Sequence, residues 1–143
     1  MTKAAGTSPA HPALDLAIEI LADLVAFPSV SLQPNDTIVS YIETRMRDLG
    51  MRCVRDAHED GQRFNLLASA GPQRPGGVLL SGHMDVVPAS PDGWTGDPFI
   101  LRRDDGRLHG RGAVDMKGFI AIVLASLPDI MAQADSLSMP LHV

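Results

Sequence analysis

A short, wholly apolar run, Val78-Leu79-Leu80, gives way at once to Ser81-Gly82-His83-Met84-Asp85. With apolar residues on both alternating faces, such a run predicts a strand buried on both sides, as in the parallel sheet of an α/β domain. Ligands of open α/β sheets gather beyond the carboxyl ends of the strands. His83 stands three residues past the run, at that edge, with Asp85 two residues further. If the backbone stays extended, both side chains point to one side. The Asp85 carboxylate can then take the second ring N–H of His83, fixing its tautomer and its orientation as a ligand. The alternative is a surface histidine near a helix start.

The rest of the chain fits the same class. Residues 1–11 are small, polar and proline-bearing and read as a mobile tail, leaving 12–143 as the folded part. Leu14, Ala17, Ile18, Leu21 and Val25 follow helical spacing, and Pro28 ends that helix. Pro34-Asn35-Asp36 offers a cap to a second helix carrying Ile38, Ile42, Met46 and Leu49, with Gly50 at its C-terminal end. Met51–Arg55 and Phe64–Ala70 read as strands around a Glu59-Asp60-Gly61 turn. A long loop with the sole tryptophan, Trp94, precedes a hairpin turning at Asp104-Asp105-Gly106. Met116, Phe119, Ile120, Val123, Leu124 and Leu127 mark a third helix, which Pro128 should kink or end. Ser138 to Val143 reads as the opening of another strand. Helices and strands in this order predict an α/β domain, a mostly parallel central sheet flanked by helices.

Composition narrows the function. With 45% hydrophobic and 20% charged residues, the chain reads as soluble and globular. A net charge of −5 without a basic stripe argues against nucleic acid as a partner. Asp15, Glu19 and Asp23 interrupt the first apolar stretch, so no membrane span is expected there. One cysteine, Cys53, permits no internal disulfide and reads as a small buried apolar residue; with no signal peptide apparent, the expected location is the cytoplasm.

Asp115 follows Gly110-Arg111-Gly112 and precedes the third helix. It reads as an N-cap, a role aspartate favours. The glycines leave a second reading open, a carboxylate presented from a tight turn and able to bridge two metal ions. Lys117 reads as a solvated lysine at a helix start, with contact to an anionic substrate as the alternative. His11, His58, His109 and His142 lack neighbours at ligand spacing and read as structural or solvated. Asp92, Trp94 and Asp97 lie in a loop able to border a site. Gly110-Arg111-Gly112 lacks the third glycine of a dinucleotide fingerprint.

Taken together, Ser81–Pro88 (SGHMDVVP), Trp94–Phe99, Gly106–Gly112 and Asp115–Phe119 resemble the dinuclear-zinc amidohydrolases and peptidases, the family that includes acetylornithine deacetylase, succinyl-diaminopimelate desuccinylase and aminoacylase. Phe64–Ala68 and Leu127-Pro128-Asp129 are closest in wording to the acetylornithine deacetylase branch. The resemblance runs from about Ala13 to the C-terminus. It implies that His83 is a terminal zinc ligand, that Asp115 bridges two Zn2+ ions (Co2+ being a possible substitute), and that Asp85 orients His83. It implies hydrolysis of an N-acyl amino acid, N-acetylornithine in arginine biosynthesis first, with a desuccinylase or another aminoacylase as the alternative. It also implies a homodimeric parent enzyme. The family's glutamate base, in a Glu-Glu pair, and its remaining ligands have no counterpart before Val143. The expectation is therefore an N-terminal part of a zinc-peptidase-like catalytic domain, apparently truncated, without the lid or dimerisation domain, inactive alone or a non-catalytic fragment.

Overall fold

The computed structural model describes residues 12–90 and 92–143. The tail expected at 1–11, with His11, lies outside the described residues. Two helices come first, α1 (Pro12–Ala26) and α2 (Asp36–Asp48), then strands β1 (Arg52–Ala57), β2 (Phe64–Ala70) and β3 (Val78–Leu79). A hairpin of β4 (Arg102–Asp104) and β5 (Arg107–His109) precedes α3 (Lys117–Met131), a single 3-10 turn and β6 (Leu141–His142).

The main sheet has the order β1-β2-β6-β3. The α/β class stands, but the sheet is mixed rather than mostly parallel. β1 and β2 form an antiparallel hairpin, β2 and β6 are antiparallel, and only β6 and β3 run parallel. The reason lies in the connections. The few residues between β1 and β2 can only return the chain antiparallel, whereas the long passage through β4, β5 and α3 supplies the crossover that a parallel pair requires.

β3 departs from expectation as well. Val78 and Leu79 are exposed, Leu79 at 61%. An apolar run predicts burial on both faces only if elements cover both faces, and among the described residues β3 is an edge strand with β6 as its one neighbour.

The core lies between the helices and the sheet. Ile20, Leu24, Val25, Ile38, Ala68, Leu124 and Leu127 are all buried in it, and each large aliphatic side chain there contributes about 1.5–3 kcal/mol through apolar burial. α1 packs along α3, and α2 lies against β1 and β2. The buried stripe of α1 runs through Ala17, Ile20, Leu21, Leu24 and Val25, so Leu14, expected inside, faces solvent. Pro128 sits inside α3 without ending it. Cys53 is half-buried rather than enclosed.

Asn35 precedes α2 but does not cap it with its side chain. Its amide group instead pairs with the backbone of Phe64, donating Nδ2–H to the carbonyl at 3.0 Å and accepting the N–H at 2.9 Å. This ties the start of α2 to the start of β2. On the other side of α2, buried Glu43 accepts from Arg47 at 2.8 Å and from Arg55, which also reaches Asp36 and Ser40. Arg47, then Arg55, hold the Glu43 carboxyl below its usual range against the opposing effect of burial.

Candidate metal centre

The chain leaves β3 through Ser81 and Gly82 and places His83 beyond the end of the strand, as the strand rule anticipates. The imidazole lies between two carboxylates. Its Nδ1 is 3.1 Å from Oδ1 of Asp85 and 3.0 Å from the Asp85 carbonyl oxygen, and its Nε2 is 2.9 Å from Oδ1 of Asp115. Thus the three residues singled out in the sequence converge although Asp115 is far along the chain. The Asp115 hydrogen bond raises the His83 pKa most; burial opposes it and Asp85 adds to it.

Asp115 is not a helix cap. The N-cap position is Met116, the Asp115–Met116 peptide is cis, and the Asp115 side chain is 84% exposed. The glycines around it have steric work to do. Gly112 has a φ of +81°, and a Cβ there would stand 2.6 Å from Cγ1 of Val86. At Gly118 a Cβ would collide with the Ala113 carbonyl oxygen. Both glycines let the turn close tightly enough to carry Asp115 to His83.

A segment that sequence reasoning overlooked braces the site. Residues 29–31 run beside the His83–Val86 loop, with a parallel bridge between Val30 and Val86. Ser31 N–H donates to the Val86 carbonyl at 3.0 Å, and Val86 N–H to the Ser29 carbonyl at 2.9 Å. The Ser29 hydroxyl donates to the Met84 carbonyl at 2.6 Å, and the Ser31 hydroxyl to Oδ2 of Asp85 at 2.5 Å. The Ser31 contact is the largest cause of the lowered Asp85 pKa, followed by burial, which opposes it, and the His83 charge. The available signal was Pro28-Ser29-Val30-Ser31, in which two hydroxyls at a spacing of two share one side of an extended stretch.

Lys117 overturns both of its sequence readings. It is neither solvated nor placed for substrate, but fully buried, with Nζ donating to the Phe27 carbonyl at 2.6 Å. Burial lowers its pKa from the usual 10.5 to about 8.

The other residues fall outside the centre. His142 pairs with the Ser69 hydroxyl at 2.8 Å, and His58 lies beside Arg63. Trp94 stacks under the Arg111 guanidinium at 5.1 Å, and Asp97 accepts the Phe99 N–H. Arg111 lines, with Ser31, His83, Asp85, Val87 and Asp115, a cavity of about 470 Å³. A larger, more apolar cavity of about 580 Å³ touches His83 and Asp85 but not Asp115. The side chains of His83, Asp85 and Asp115 all line the smaller one.

Imidazole nitrogen facing carboxylate oxygen is a donor set that suits zinc. A cation taking the place of the Nε2 proton would meet both, so the pair fits a metal ion. Among the described residues, no group of three or more His, Cys, Asp or Glu side chains is placed to hold a metal. Likewise, no described helix is long and apolar enough to cross a membrane.

Comparison with known proteins bears on this geometry. Residues 79–143 match the model of Peptidase family M20/M25/M40. The chain is 40% identical over 133 residues to an acetylornithine deacetylase of Klebsiella pneumoniae (strain 342), an alignment covering 88% of this chain and 34% of that protein. It therefore spans about a third of the length of the curated relatives it matches. In fold it is similar to human carnosine dipeptidase 1, with a TM-score of 0.71 and 28% identity over 90% of this chain and 31% of that one. It also superposes on an M20 family metallo-carboxypeptidase, Sso-CP2 from Sulfolobus solfataricus, with a TM-score of 0.75 and 21% identity over 88% of this chain and 29% of that one. Over residues 79–143 the sequence is thus similar to Peptidase family M20/M25/M40, and over nearly the whole chain the fold is similar to these two solved structures.

Proposed function

We propose that this chain carries half of a dinuclear metal centre that hydrolyses a linear amide, with His83 as a terminal ligand, Asp115 as the bridging ligand and Asp85 as the residue that orients His83. The observation that carries the reading is the Asp85–His83–Asp115 row, with hydrogen-bond distances of 3.1 and 2.9 Å on opposite ring nitrogens. A bound zinc ion would supply Lewis acidity toward the amide carbonyl and the attacking water. This chain's own part is to hold the imidazole so that Nδ1 is spoken for and Nε2 is directed at the Asp115 carboxylate. The exposed Asp115 oxygens leave room for a second cation.

The substrate proposed for the parent enzyme is an N-acyl amino acid, N2-acetyl-ornithine first, consumed in the cytoplasm during arginine formation. The 40% identity to an acetylornithine deacetylase supports that choice over a desuccinylase. A homodimer is proposed for the parent. With two ligands in place and a catalytic zinc ordinarily taking three, the 143-residue chain by itself should bind metal weakly and turn over nothing.

The test is a Zn2+ or Co2+ titration of the chain, paired with deacylation assays of a parent-length protein on acetylornithine and succinyl-diaminopimelate, each with and without chelator. Metal binding lost on His83→Ala and chelator-sensitive acetylornithine cleavage support the proposal. Cleavage indifferent to chelator defeats it, and preference for the succinyl substrate moves the assignment to the desuccinylase.

A further inference from the structure

The reading of His83 and Asp115 as metal ligands, on which this inference rests, leaves one short hydrogen bond without a role. We propose that Ser31 is a positioning residue of the centre: its hydroxyl donates to Oδ2 of Asp85, reserves Oδ1 for Nδ1 of His83, and so keeps the imidazole turned with Nε2 toward Asp115.

The distances rank the contacts of that hydroxyl. It lies 2.5 Å from the Asp85 carboxylate and 3.3 Å from the Val86 carbonyl oxygen, so the carboxylate is its acceptor. A hydroxyl on an ionised carboxylate forms one of the stronger and shorter hydrogen bonds. Asp85 needs such a restraint because its side chain is 48% exposed. Water reaches a half-exposed carboxylate, and with neither oxygen fixed the group rotates and its bond to His83 is shared among orientations. One oxygen anchored leaves the other with a single direction.

Ser31 is itself held from several sides. Its N–H is bonded to Val86, the Ser29 hydroxyl is bonded to Met84, and Lys117 grips the Phe27 carbonyl just upstream. The hydroxyl therefore projects from a braced stretch of backbone rather than from a free loop. A row of four side chains results, Ser31–Asp85–His83–Asp115, in which each orients the next. Groups behind a metal ligand commonly change affinity about 10–100-fold when removed. Ser31 acts one link further out, so the lower end applies.

The experiment uses the whole chain with Ser31→Ala and Ser31→Thr, each alone and with Asp85→Ala. Two quantities are read: Co2+ affinity by competition, and the His83 Nδ1 proton resonance at low temperature. Ser31→Ala should weaken Co2+ binding roughly tenfold and broaden the Nδ1 proton into solvent exchange. Ser31→Thr, which keeps the hydroxyl, should restore both. With Asp85→Ala present, Ser31→Ala should add no further loss, because the two residues act in series. Wild-type affinity and an unchanged resonance in Ser31→Ala would overturn the proposal, as would an undiminished Ser31→Ala effect without Asp85. If the wild-type chain takes up no Co2+, the metal reading falls; the resonance in Ser31→Ala then decides the role of Ser31 by itself.

Discussion

The Nζ of Lys117 lies 2.6 Å from the carbonyl oxygen of Phe27, a bond that fastens the first turn of α3 to the end of α1 from inside the protein. The stem of that side chain fills space beside the Gly112 turn. Truncating it by Lys117→Ala should open a cavity and cost about 2–4 kcal/mol, in the range of large-to-small core changes. Lys117→Met keeps most of the volume. It orphans the Phe27 carbonyl, at about 1–3 kcal/mol, and relieves the desolvation of a buried cation, an effect of similar size and opposite sign. Its net change should stay below about 1 kcal/mol. Urea unfolding of both variants checks the order, and a Met variant as unstable as the Ala variant contradicts it.

His83 is half-exposed and holds no part of the core. His83→Ala should therefore move the unfolding free energy by less than about 0.5 kcal/mol while removing Co2+ or Zn2+ uptake. Asp85→Asn should reduce metal affinity about 10–100-fold with the fold intact. Isothermal titration and a thermal melt, run side by side, separate binding from stability.

Gly112→Ala places a side chain at a φ of +81° and 2.6 Å from Val86. Backbone strain and overlap together should cost on the order of 1–3 kcal/mol. Because the same turn presents Asp115, metal affinity should fall along with stability. A variant that melts like the wild type would show that the turn is looser than its contacts imply.

Acid sensitivity should report Glu43. Its folded pKa lies below the ordinary carboxylate value, chiefly through Arg47. A depressed carboxylate pKa means that its contribution is complete above the unfolded value, near 4.3, and is lost as pH falls through the folded one. Between neutrality and acid, Glu43→Gln should accordingly lower stability at pH 6 but flatten the further decline toward pH 3. Urea midpoints across that range provide the measurement; parallel wild-type and variant curves would contradict the assignment.

Among the described residues β3 is an edge strand, and its Val78 and Leu79 are exposed. Apolar edge strands invite pairing with other chains. Leu79→Lys should shift the chain toward monomer in size-exclusion runs at increasing concentration, with little change in melting.

How much of this was legible beforehand varied with the range of the interaction. The three helices were visible because a repeat of 3.6 residues is written locally, and Phe64–Ala70 was visible for the same reason at a period of two. His83 and Asp85 could be paired in advance because their two-residue spacing alone sets their relation. The burial of Lys117 could not be anticipated: no local rule hides a lysine, and its partner is a backbone carbonyl 90 residues away. The edge position of β3 escaped for a related reason. An apolar triplet says what the strand tolerates, while its neighbours are set by the order in which distant strands join.

That strand order has a temporal consequence. β6, at Leu141–His142, stands between β2 and β3 in the sheet and pairs with both. A nascent chain that has emerged as far as α3 possesses a complete β1–β2 hairpin and a separate β3, yet no sheet containing both. His83 hangs from the detached piece. Closure of the sheet next to His83 must therefore wait for a strand made after every one of the site's own residues, a slow, long-range step, while the Val30–Val86 bridge and the Lys117–Phe27 bond need no such strand.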